Sequence, residues 1–462
     1  MNRKTALFWG MLVFGLIGCA ASRPDRTFPA PRPLGSDLST FRAHTESTTG
    51  PEPSVIEDEE PADTLTLRQA LALALMKNPE LSAFSSEIRA REAAALQAGR
   101  LPNPHLGADM EDIGVGTETT LRLSQLIETG GKRAARIEVA SLNRDLAGWD
   151  YETKRIDVLT RVSQTFIEVL SAQQNITLAE ERGRLAEEVA RVVSEKVRAG
   201  KVSPIEETRA NVGLSSAKIE LERAGRSLDL SRKRLAAAWG NTIPQFEKVA
   251  GNLGSLPSIP PVEQLAQRLS QNPDLARWAT EISQRQAVID LERSRTLPDM
   301  ILSGGVRRFD EIEETAFVVG VTIPLPIFDR NQGAIQEAQH RLQRAKQERR
   351  AAEVRVATAL SEAYGALSRA HSEAQALRDH LLPGAESAFE AVNEGYRLGK
   401  FGLLDVFDAQ RTFFSARAQH LRALADYHLA AAEVERLIGE PLDSVENRPL
   451  QKETGQNNGV LK

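Results

Sequence analysis

The sequence predicts a mainly α-helical protein with a small β part, in which one long unit occurs twice. Three observations lead to this fold class. Among the 462 residues, 5% are aromatic, 26% charged and 41% hydrophobic, a balance typical of long amphipathic helices rather than of a thick globular core. The chain contains very long proline-free stretches, above all from Lys132 to Arg198. Several short motifs of the first half return, in the same order, in the second half.

Charge and cysteine content exclude several classes of function. Lys and Arg number 58 against 63 Asp and Glu, and the net charge is −5, so we expect no nucleic-acid surface. The single cysteine excludes an intrachain disulfide and a cysteine-rich metal site. No nucleophile, base and orienting residue stand out as a catalytic set. We therefore expect no enzyme activity, no cofactor and no tightly held metal.

The N-terminus has the features of an export signal. After two basic residues, Ala6 to Ile17 form an apolar run that is too short to span a bilayer. A small residue and Cys19 end the run, a pattern that resembles a bacterial lipobox and implies removal of residues 1–18 and acylation of Cys19. An ordinary export signal that contains a cysteine is the alternative. Ala20 stands where such lipoproteins of the inner membrane usually carry Asp, which favours the outer membrane.

Residues 19–62 form a proline-rich segment with an acidic run near its end. Such a composition buries too little apolar surface to offset the entropy lost on ordering. We predict an extended tether or a wrap along the outside of the protein.

The recurring motifs predict a tandem duplication. Asn78-Pro79-Glu80-Leu81 returns as Asn272-Pro273-Asp274-Leu275, Leu101-Pro102 as Leu297-Pro298, Arg198-Ala199-Gly200-Lys201 as Arg397-Leu398-Gly399-Lys400, and Gly240 as Gly439. The period is far longer than that of solenoid repeats. We predict a first repeat over residues 63–250, a linker over 251–261, a second repeat over 262–440 and a polar tail over 441–462.

Each repeat is expected to begin with a helix and to continue with two short strands. Thr66 and Gln69 match a capping box at the start of the first helix, which is predicted to continue to Leu101-Pro102. Apolar and polar residues then alternate, as in strands with two different faces. The apolar positions are Leu106, Ala108 and Met110, then Leu121 and Leu123, and in the second repeat Met300, Leu302 and Val306, then Phe317, Val319, Val321 and Ile323. Four such strands cannot close a sheet by themselves.

Long helices complete each repeat. In Lys132 to Arg198, apolar residues recur every three, four or seven positions, which indicates a coiled-coil seam. The counterpart, Asn331 to Arg397, contains Pro383, which is expected to kink or break the helix. Gly200 and Gly399 are predicted to adopt the left-handed conformation that lets a helix end and the chain turn back.

The duplication, the two predicted hairpins, the paired long helices and the Gly-Lys turns together resemble the TolC-type outer-membrane efflux proteins. The resemblance covers nearly all of residues 63–440. It implies a homotrimer in which four strands from each chain close a twelve-stranded β-barrel, continued by an α-helical barrel across the periplasm. Two strings look like the heavy-metal branch, whose members serve cobalt, zinc, cadmium or copper efflux pumps. They are Glu128-Thr129-Gly130-Gly131-Lys132-Arg133-Ala134-Ala135-Arg136 and Pro324-Leu325-Pro326-Ile327-Phe328-Asp329-Arg330-Asn331-Gln332-Gly333.

The implied function is that of a passive exit duct, lipid-anchored in the outer membrane and gated at its periplasmic end. An inner-membrane pump of the resistance-nodulation-division type and a periplasmic adaptor (membrane fusion) protein would deliver the substrates, expected to be heavy-metal cations. Export of drugs or, in type I systems, of proteins is an alternative. A non-conducting coiled-coil periplasmic lipoprotein is another, although it would not need amphipathic hairpins at matched positions in both repeats.

Asp405 and Asp408 are candidate gate residues. They are three positions apart, so their carboxylates share one helix face. The resemblance implies that a trimer stacks them as two rings that attract cations at the periplasmic mouth. It also aligns Tyr396 and Glu206 with the family's closed-gate network. In a single chain, the alternative is an ordinary charged helix face.

Two further groups are candidate contact residues. Lys132, Arg133 and Arg136 place positive charge in the first turns of a helix, against its dipole, so we expect contact with outer-membrane lipid phosphates, with a solvated basic turn as the alternative. The two helix turns resemble the tips by which these channels meet an adaptor. Their residues are Arg198, Gly200 and Lys201, and Arg397, Gly399 and Lys400.

Overall fold

The computed structural model describes residues 33–40, 60–114 and 116–447, which form two compact units. Residues 90–145 and 283–342 make up the first unit, and the other described residues make up the second. The predicted signal, the lipidation site Cys19 and most of the predicted tether lie outside the described residues, as does most of the polar tail.

The secondary structure is mainly helical. The α-helices are α1 (Leu67–Lys77), α2 (Pro79–Ala98), α3 (Lys132–Arg198), α4 (Pro204–Ala237), α5 (Val262–Arg268), α6 (Pro273–Ser294), α7 (Gln332–Ala376), α8 (Leu382–Arg397), α9 (Leu403–Ile438) and α10 (Leu442–Asn447). The strands are β1 (Thr64–Thr66), β2 (His105–Glu111), β3 (Glu118–Ile127), β4 (Lys248–Ala250), β5 (Met300–Phe309) and β6 (Glu314–Thr322). The predicted strands and the first long helix are thereby confirmed. The short parallel pair β1 and β4 was not predicted, because three-residue strands show no periodicity.

The prediction that Pro383 kinks or breaks the long helix is confirmed in part, since the α-helix is interrupted just before Pro383 but the chain does not leave the helical conformation. A π-helical turn, Leu377–Leu381, connects α7 to α8, and the chain stays helical on both sides of it. In this turn the Leu382 N–H bonds to the Leu377 carbonyl, five residues earlier. The wider turn shifts the hydrogen-bond ladder just before Pro383, which has no N–H of its own to donate.

The first helix, in contrast, is not continuous to Leu101. It ends at Lys77, and Asn78 has extended backbone angles, as the residue before a proline prefers. The buried Asn78 side chain accepts a hydrogen bond from the Leu81 N–H at 3.0 Å and donates one to the Ala238 carbonyl at 2.7 Å. The spacing of apolar residues predicts a single helix, because it does not show that the Asn78 side chain caps a second helix that begins at Pro79.

The second repeat reproduces this contact. Asn272 is buried, accepts from the Asp274 N–H and donates to the Leu437 carbonyl, both at 2.8 Å. Ala238 and Leu437 each stand two residues before the recurring glycines Gly240 and Gly439. Two landmarks of each repeat are therefore partners in space, and they hold the start of a repeat against its end.

The described N-terminal residues make their contacts within the second unit. The Leu34 N–H donates to the Gly439 carbonyl, and the Leu34 carbonyl accepts from the Arg155 guanidinium, each at 2.9 Å. Farther along, the Glu60 carboxylate accepts hydrogen bonds from the Trp239 indole and the Asn241 amide. The described parts of the predicted tether therefore contact the end of each repeat.

Glu435 caps the last described helix. Its Oε1 accepts a hydrogen bond from the Leu442 N–H at 2.9 Å, at the start of α10. Burial raises the pKa of Glu435 from 4.5 to about 7; the nearby Asp443 carboxylate adds to the increase, and the bond from Leu442 opposes it. Since the folded state holds this proton more tightly than the unfolded chain, the resulting stabilisation is complete below pH 4.5 and is lost as the pH rises through about 7.

We expect Glu435→Gln to remove this pH dependence, because glutamine keeps the acceptor oxygen and cannot ionise. Above neutral pH the variant should be more stable than the parent by up to about 3 kcal/mol. Thermal unfolding of the purified protein across this pH range measures the difference. Glu386→Gln, at an exposed position of α8, serves as the control and should leave the profile unchanged. Parallel profiles for the parent and Glu435→Gln would contradict the expectation.

Candidate functional site

The two predicted hairpins form one open antiparallel sheet. Its strand order is β2-β3-β5-β6, and the contact between the repeats is the pairing of β3 with β5, from Glu118 opposite Phe309 to Ile127 opposite Met300. Strands β2 and β6 are the outer strands of the sheet. Each therefore has one edge of backbone donors and acceptors without a neighbouring strand in the described chain.

One face of the sheet is apolar and exposed. The register places Phe317 beside Val306 and Val306 beside Leu121, so the alternating residues of neighbouring strands fall into common rows. Phe317 is 89% exposed and Val319 80%. The other large apolar residues of this face that are exposed are Leu106, Met110, Leu121, Leu123, Ile127, Leu302, Val306 and Val321. Such a surface is far too apolar to stay in water.

The opposite face is polar and internally paired. Arg307 forms an ion pair with Glu118 at 3.0 Å and donates to the Thr120 hydroxyl at 3.0 Å. Arg122 and Asp109 approach to 3.9 Å on neighbouring strands. A sheet with an apolar face and a polar face can separate lipid from a water-filled space.

The basic turn at the start of α3 is held by carboxylates of the same chain. Lys132 Nζ lies 2.6 Å from Asp299 Oδ1, and the Arg136 guanidinium forms a two-pronged ion pair with Glu128. These partners explain why positive charge is tolerated at a helix N-terminus, where it opposes the dipole. Arg133 is half-buried. Contact of this turn with lipid phosphates stays a prediction.

At the far ends of the long helices, both turns are closed by glycine. The angle φ is +68° at Gly200 and +72° at Gly399, which confirms the predicted left-handed caps. The Lys201 N–H bonds to the Lys196 carbonyl at 2.9 Å, and the Lys400 N–H to the Gly395 carbonyl at 2.8 Å, the bond of a Schellman motif. The predicted tip residues Arg198, Gly200, Lys201, Arg397, Gly399 and Lys400 are all exposed.

A small apolar cluster supports the two turns. It joins Val193 and Ala210 of the first hairpin of helices to Tyr396, Leu403 and Val406 of the second. The Lys196 ammonium lies 3.7 Å from the centre of the Tyr396 ring. The tyrosine hydroxyl is buried and has no hydrogen-bond partner among the described residues, so it does not bond to Glu206. Sequence reasoning missed this cluster, although its residues follow the seam of the helices.

Asp405 and Asp408 are both exposed in the first turns of α9. Asp405 Oδ2 accepts a hydrogen bond from the Gly402 N–H at 2.8 Å and so caps the helix, while Asp408 pairs with Arg411. Both line a groove of about 770 Å³. Small residues of α4, Ala210, Gly213 and Ala217, form part of the wall of this groove. Their spacing of three and four in the sequence is a signal that could have indicated this wall.

The described residues contain neither a metal-binding cluster nor a helix that could cross a membrane. No group of His, Asp and Glu side chains in this part of the chain could hold a metal ion. Among the helices described above, none is both long and apolar enough to cross a bilayer.

The comparison with protein families decides the identity. The family described as outer membrane efflux protein matches residues 70–241 and 265–440. This chain belongs to that family. As an outer membrane efflux protein, it is a channel of the outer membrane and not an enzyme. The two matched segments lie within the predicted first and second repeats, residues 63–250 and 262–440.

Related outer membrane efflux proteins include heavy-metal resistance proteins. The cobalt-zinc-cadmium resistance protein CzcC of Cupriavidus metallidurans is 40% identical over 411 residues, which cover 88% of this chain and 98% of CzcC. The nickel-cobalt-cadmium resistance protein NccC of Alcaligenes xylosoxydans is 29% identical over 301 residues, which cover 63% of this chain and 67% of NccC. The predicted relationship to the heavy-metal branch is confirmed.

Solved structures of outer membrane efflux proteins share the fold. The open state of the MtrE outer membrane channel of Neisseria gonorrhoeae superposes with a TM-score of 0.68 at 18% identity, covering 88% of this chain and 97% of MtrE. In this efflux protein, the structure brings the six tip residues to two neighbouring helix turns and places Asp405 and Asp408 just beyond the second. It does not join Tyr396 to Glu206.

Proposed function

We propose that the chain is the exit duct of a tripartite efflux system and works as a homotrimer. The observation that carries this proposal is the four-stranded sheet, with an exposed apolar face, a polar face and two open edges. Pairing β6 of one copy with β2 of the next would satisfy both edges. Three copies would close twelve strands, an even number as in other outer-membrane barrels, with the apolar face toward lipid and the polar face toward the lumen.

Heavy-metal cations are the proposed substrates. The support is the 40% identity to CzcC, which is named for cobalt, zinc and cadmium resistance, over nearly its whole length. The duct is proposed to be passive, with energy supplied by an inner-membrane pump and substrates handed over by a periplasmic adaptor. Export of drugs or of proteins through a duct of the same fold is the alternative. The exposed apolar sheet argues against a non-conducting coiled-coil lipoprotein.

The proposed periplasmic end is the pair of glycine-closed helix turns. Exposed Arg198, Lys201, Arg397 and Lys400 surround backbone opened by Gly200 and Gly399, and we assign contact with the adaptor to these six residues. Asp405 and Asp408 would form the carboxylate rings, with Tyr396 and Glu206 in the same gate. Acylated Cys19 is proposed to anchor each chain in the outer membrane.

Metal sensitivity tests the proposed function. A strain lacking this gene should become sensitive to one or more of zinc, cobalt, cadmium, copper and silver, and the intact gene should restore resistance. Sensitivity to organic drugs without sensitivity to any of these metals would overturn the assignment of substrate. Because ion selection lies largely in the pump, the set of metals identifies the system rather than the duct.

Neutralising the gate carboxylates tests the proposed rings. We expect Asp405→Asn with Asp408→Asn to lower the cation-over-anion permeability ratio of single channels in planar bilayers by about two-fold or more, because the narrow mouth loses fixed negative charge. Asp426→Asn, at an exposed position farther along α9, is the matched control and should leave the ratio unchanged. Identical ratios for the double variant and the parent would rule out the rings.

A further inference from the structure

The apolar alternation of β6 continues beyond the end of the strand. β6 ends at Thr322, yet the series Phe317, Val319 and Val321 is followed by Ile323, Leu325 and Ile327 at the same spacing of two. Leu325 is 75% exposed and Ile327 60%, and the adjoining Phe328 is 90% exposed. Residues 324–328, here called the interface loop, therefore continue the series of exposed apolar side chains directly after the end of β6.

The backbone of the interface loop is suited to an apolar environment. Pro324 and Pro326 have no N–H to leave unpaired, and the Ile327 N–H bonds to the Leu325 carbonyl at 2.9 Å. The Pro326 and Phe328 carbonyls accept bonds at 3.3 Å from the side chains of Arg330 and Gln332. Irregular backbone is tolerated near lipid only where its polar groups are satisfied in this way.

The base of the interface loop is firmly held. Asn331 adopts φ of +59°, a conformation that asparagine tolerates better than most residues. Its amide donates to the Glu292 carbonyl at 2.8 Å and to the Glu292 carboxylate at 2.7 Å, which fixes the loop to the end of α6. The exposed apolar side chains of the interface loop are therefore followed directly by a turn that hydrogen bonds hold in place.

The first repeat has no such loop. The residues after β3, from Glu128 to Gly131, are polar or glycine, and Glu128 is turned inward to pair with Arg136. Of the two connections that follow β3 and β6, only the second is apolar and exposed. An exposed run of Leu, Ile and Phe with no packing partner among the described residues calls for another surface to cover it.

We propose that the interface loop inserts into the periplasmic leaflet of the outer membrane, with Leu325, Ile327 and Phe328 at the boundary between headgroups and acyl chains. This inference rests on the proposed function, in which the apolar face of the sheet is lipid-facing. Continuity with that face identifies lipid as the covering partner. Arg330, which follows the loop, is placed to meet lipid phosphates, and three loops per trimer would set how deep the barrel sits.

Fluorescence quenching tests the insertion. A polarity-sensitive thiol label is attached to Phe328→Cys in a chain that carries Cys19→Ser, so that only one site reacts. The protein is reconstituted in vesicles of phosphatidylethanolamine and phosphatidylglycerol. Phe317→Cys on the sheet is the lipid-facing control, and Ile205→Cys, exposed near the helix turns, is the aqueous control. Lipids with a nitroxide near the headgroup should quench the labels at 317 and 328 by about half, while iodide should quench only the label at 205.

Two results would overturn the insertion while leaving the membrane sheet intact. Quenching of the 328 label by iodide alone would place the loop in water. Resistance of that label to both quenchers would mean that protein, such as a second copy of the chain, covers it. If the 317 label is also untouched by lipid nitroxides, the proposed membrane sheet fails together with the loop.

Discussion

Gly305→Ala is expected to abolish most of the assembled channel. A Cβ atom at this position would lie 2.2 Å from the Leu121 carbonyl oxygen and 2.9 Å from the Arg122 Cα. Both are backbone atoms of β3, which pairs with β5 here, so neither can move aside without separating the two repeats within the sheet. The expected cost is about 3 kcal/mol or more, at the upper end for overpacking. The measurement is the amount of folded, heat-resistant oligomer in the outer-membrane fraction.

The neighbouring residue provides the control for this experiment. A Cβ atom at Gly304 would meet no atom within 4 Å, and Gly304 lies on the same strand in the same sheet. Gly304→Ala should therefore assemble at the level of the parent. Equal amounts of oligomer from both variants would show that the close approach at Gly305 does not control assembly.

Arg155→Ala is expected to destabilise the helical unit by about 3 to 5 kcal/mol. The Arg155 side chain is 0% exposed, pairs with the buried Glu152 at 3.0 Å and donates to the Leu34 carbonyl. Its removal would leave a buried carboxylate without its cation and would release one bond that holds the N-terminal segment. A lower midpoint of thermal unfolding, followed by far-ultraviolet circular dichroism, measures the loss.

The same helix offers a control for Arg155. Arg161 pairs with Glu80 at 3.5 Å, but its side chain is 54% exposed, so Arg161→Ala should cost less than about 1 kcal/mol. Adding Glu152→Gln to Arg155→Ala should recover part of the lost stability, because the buried carboxylate that has lost the Arg155 cation is replaced by a neutral amide. An unfolding midpoint for Arg155→Ala that matches the Arg161→Ala value would show that the buried pair contributes little.

Local patterns explain why so much of this fold could be predicted. The spacing of apolar residues in α3 is set by the turn of a helix, and the alternation in β2, β3, β5 and β6 by the pleat of a strand. Gly200 and Gly399 indicate left-handed caps because other residues rarely adopt that conformation. Each of these signals depends only on residues that are close to one another in the sequence.

Contacts between distant residues could not be predicted in the same way. Nothing near Asn272 in the sequence indicates that its amide bonds to the Leu437 carbonyl, nor does the turn at Lys132 indicate Asp299 as its partner. The π turn before Pro383 could not be predicted either, because a proline in a helical pattern indicates a kink or break without showing its form. The candidate gate could not be predicted completely either, since the described residues of the single chain offer the Tyr396 hydroxyl no hydrogen-bond partner.

The sequence by itself determined the duplication, the helix and strand periods, the glycine-closed turns and the family. Only the tertiary structure decided that β3 pairs with β5, that the basic turn is neutralised within the chain, and that the apolar row of β6 continues into an exposed loop. Periodicity reports which side of an element is apolar, because that depends on local geometry. What covers the apolar side, and which charge meets which, depends on the arrangement of segments that lie far apart in the chain.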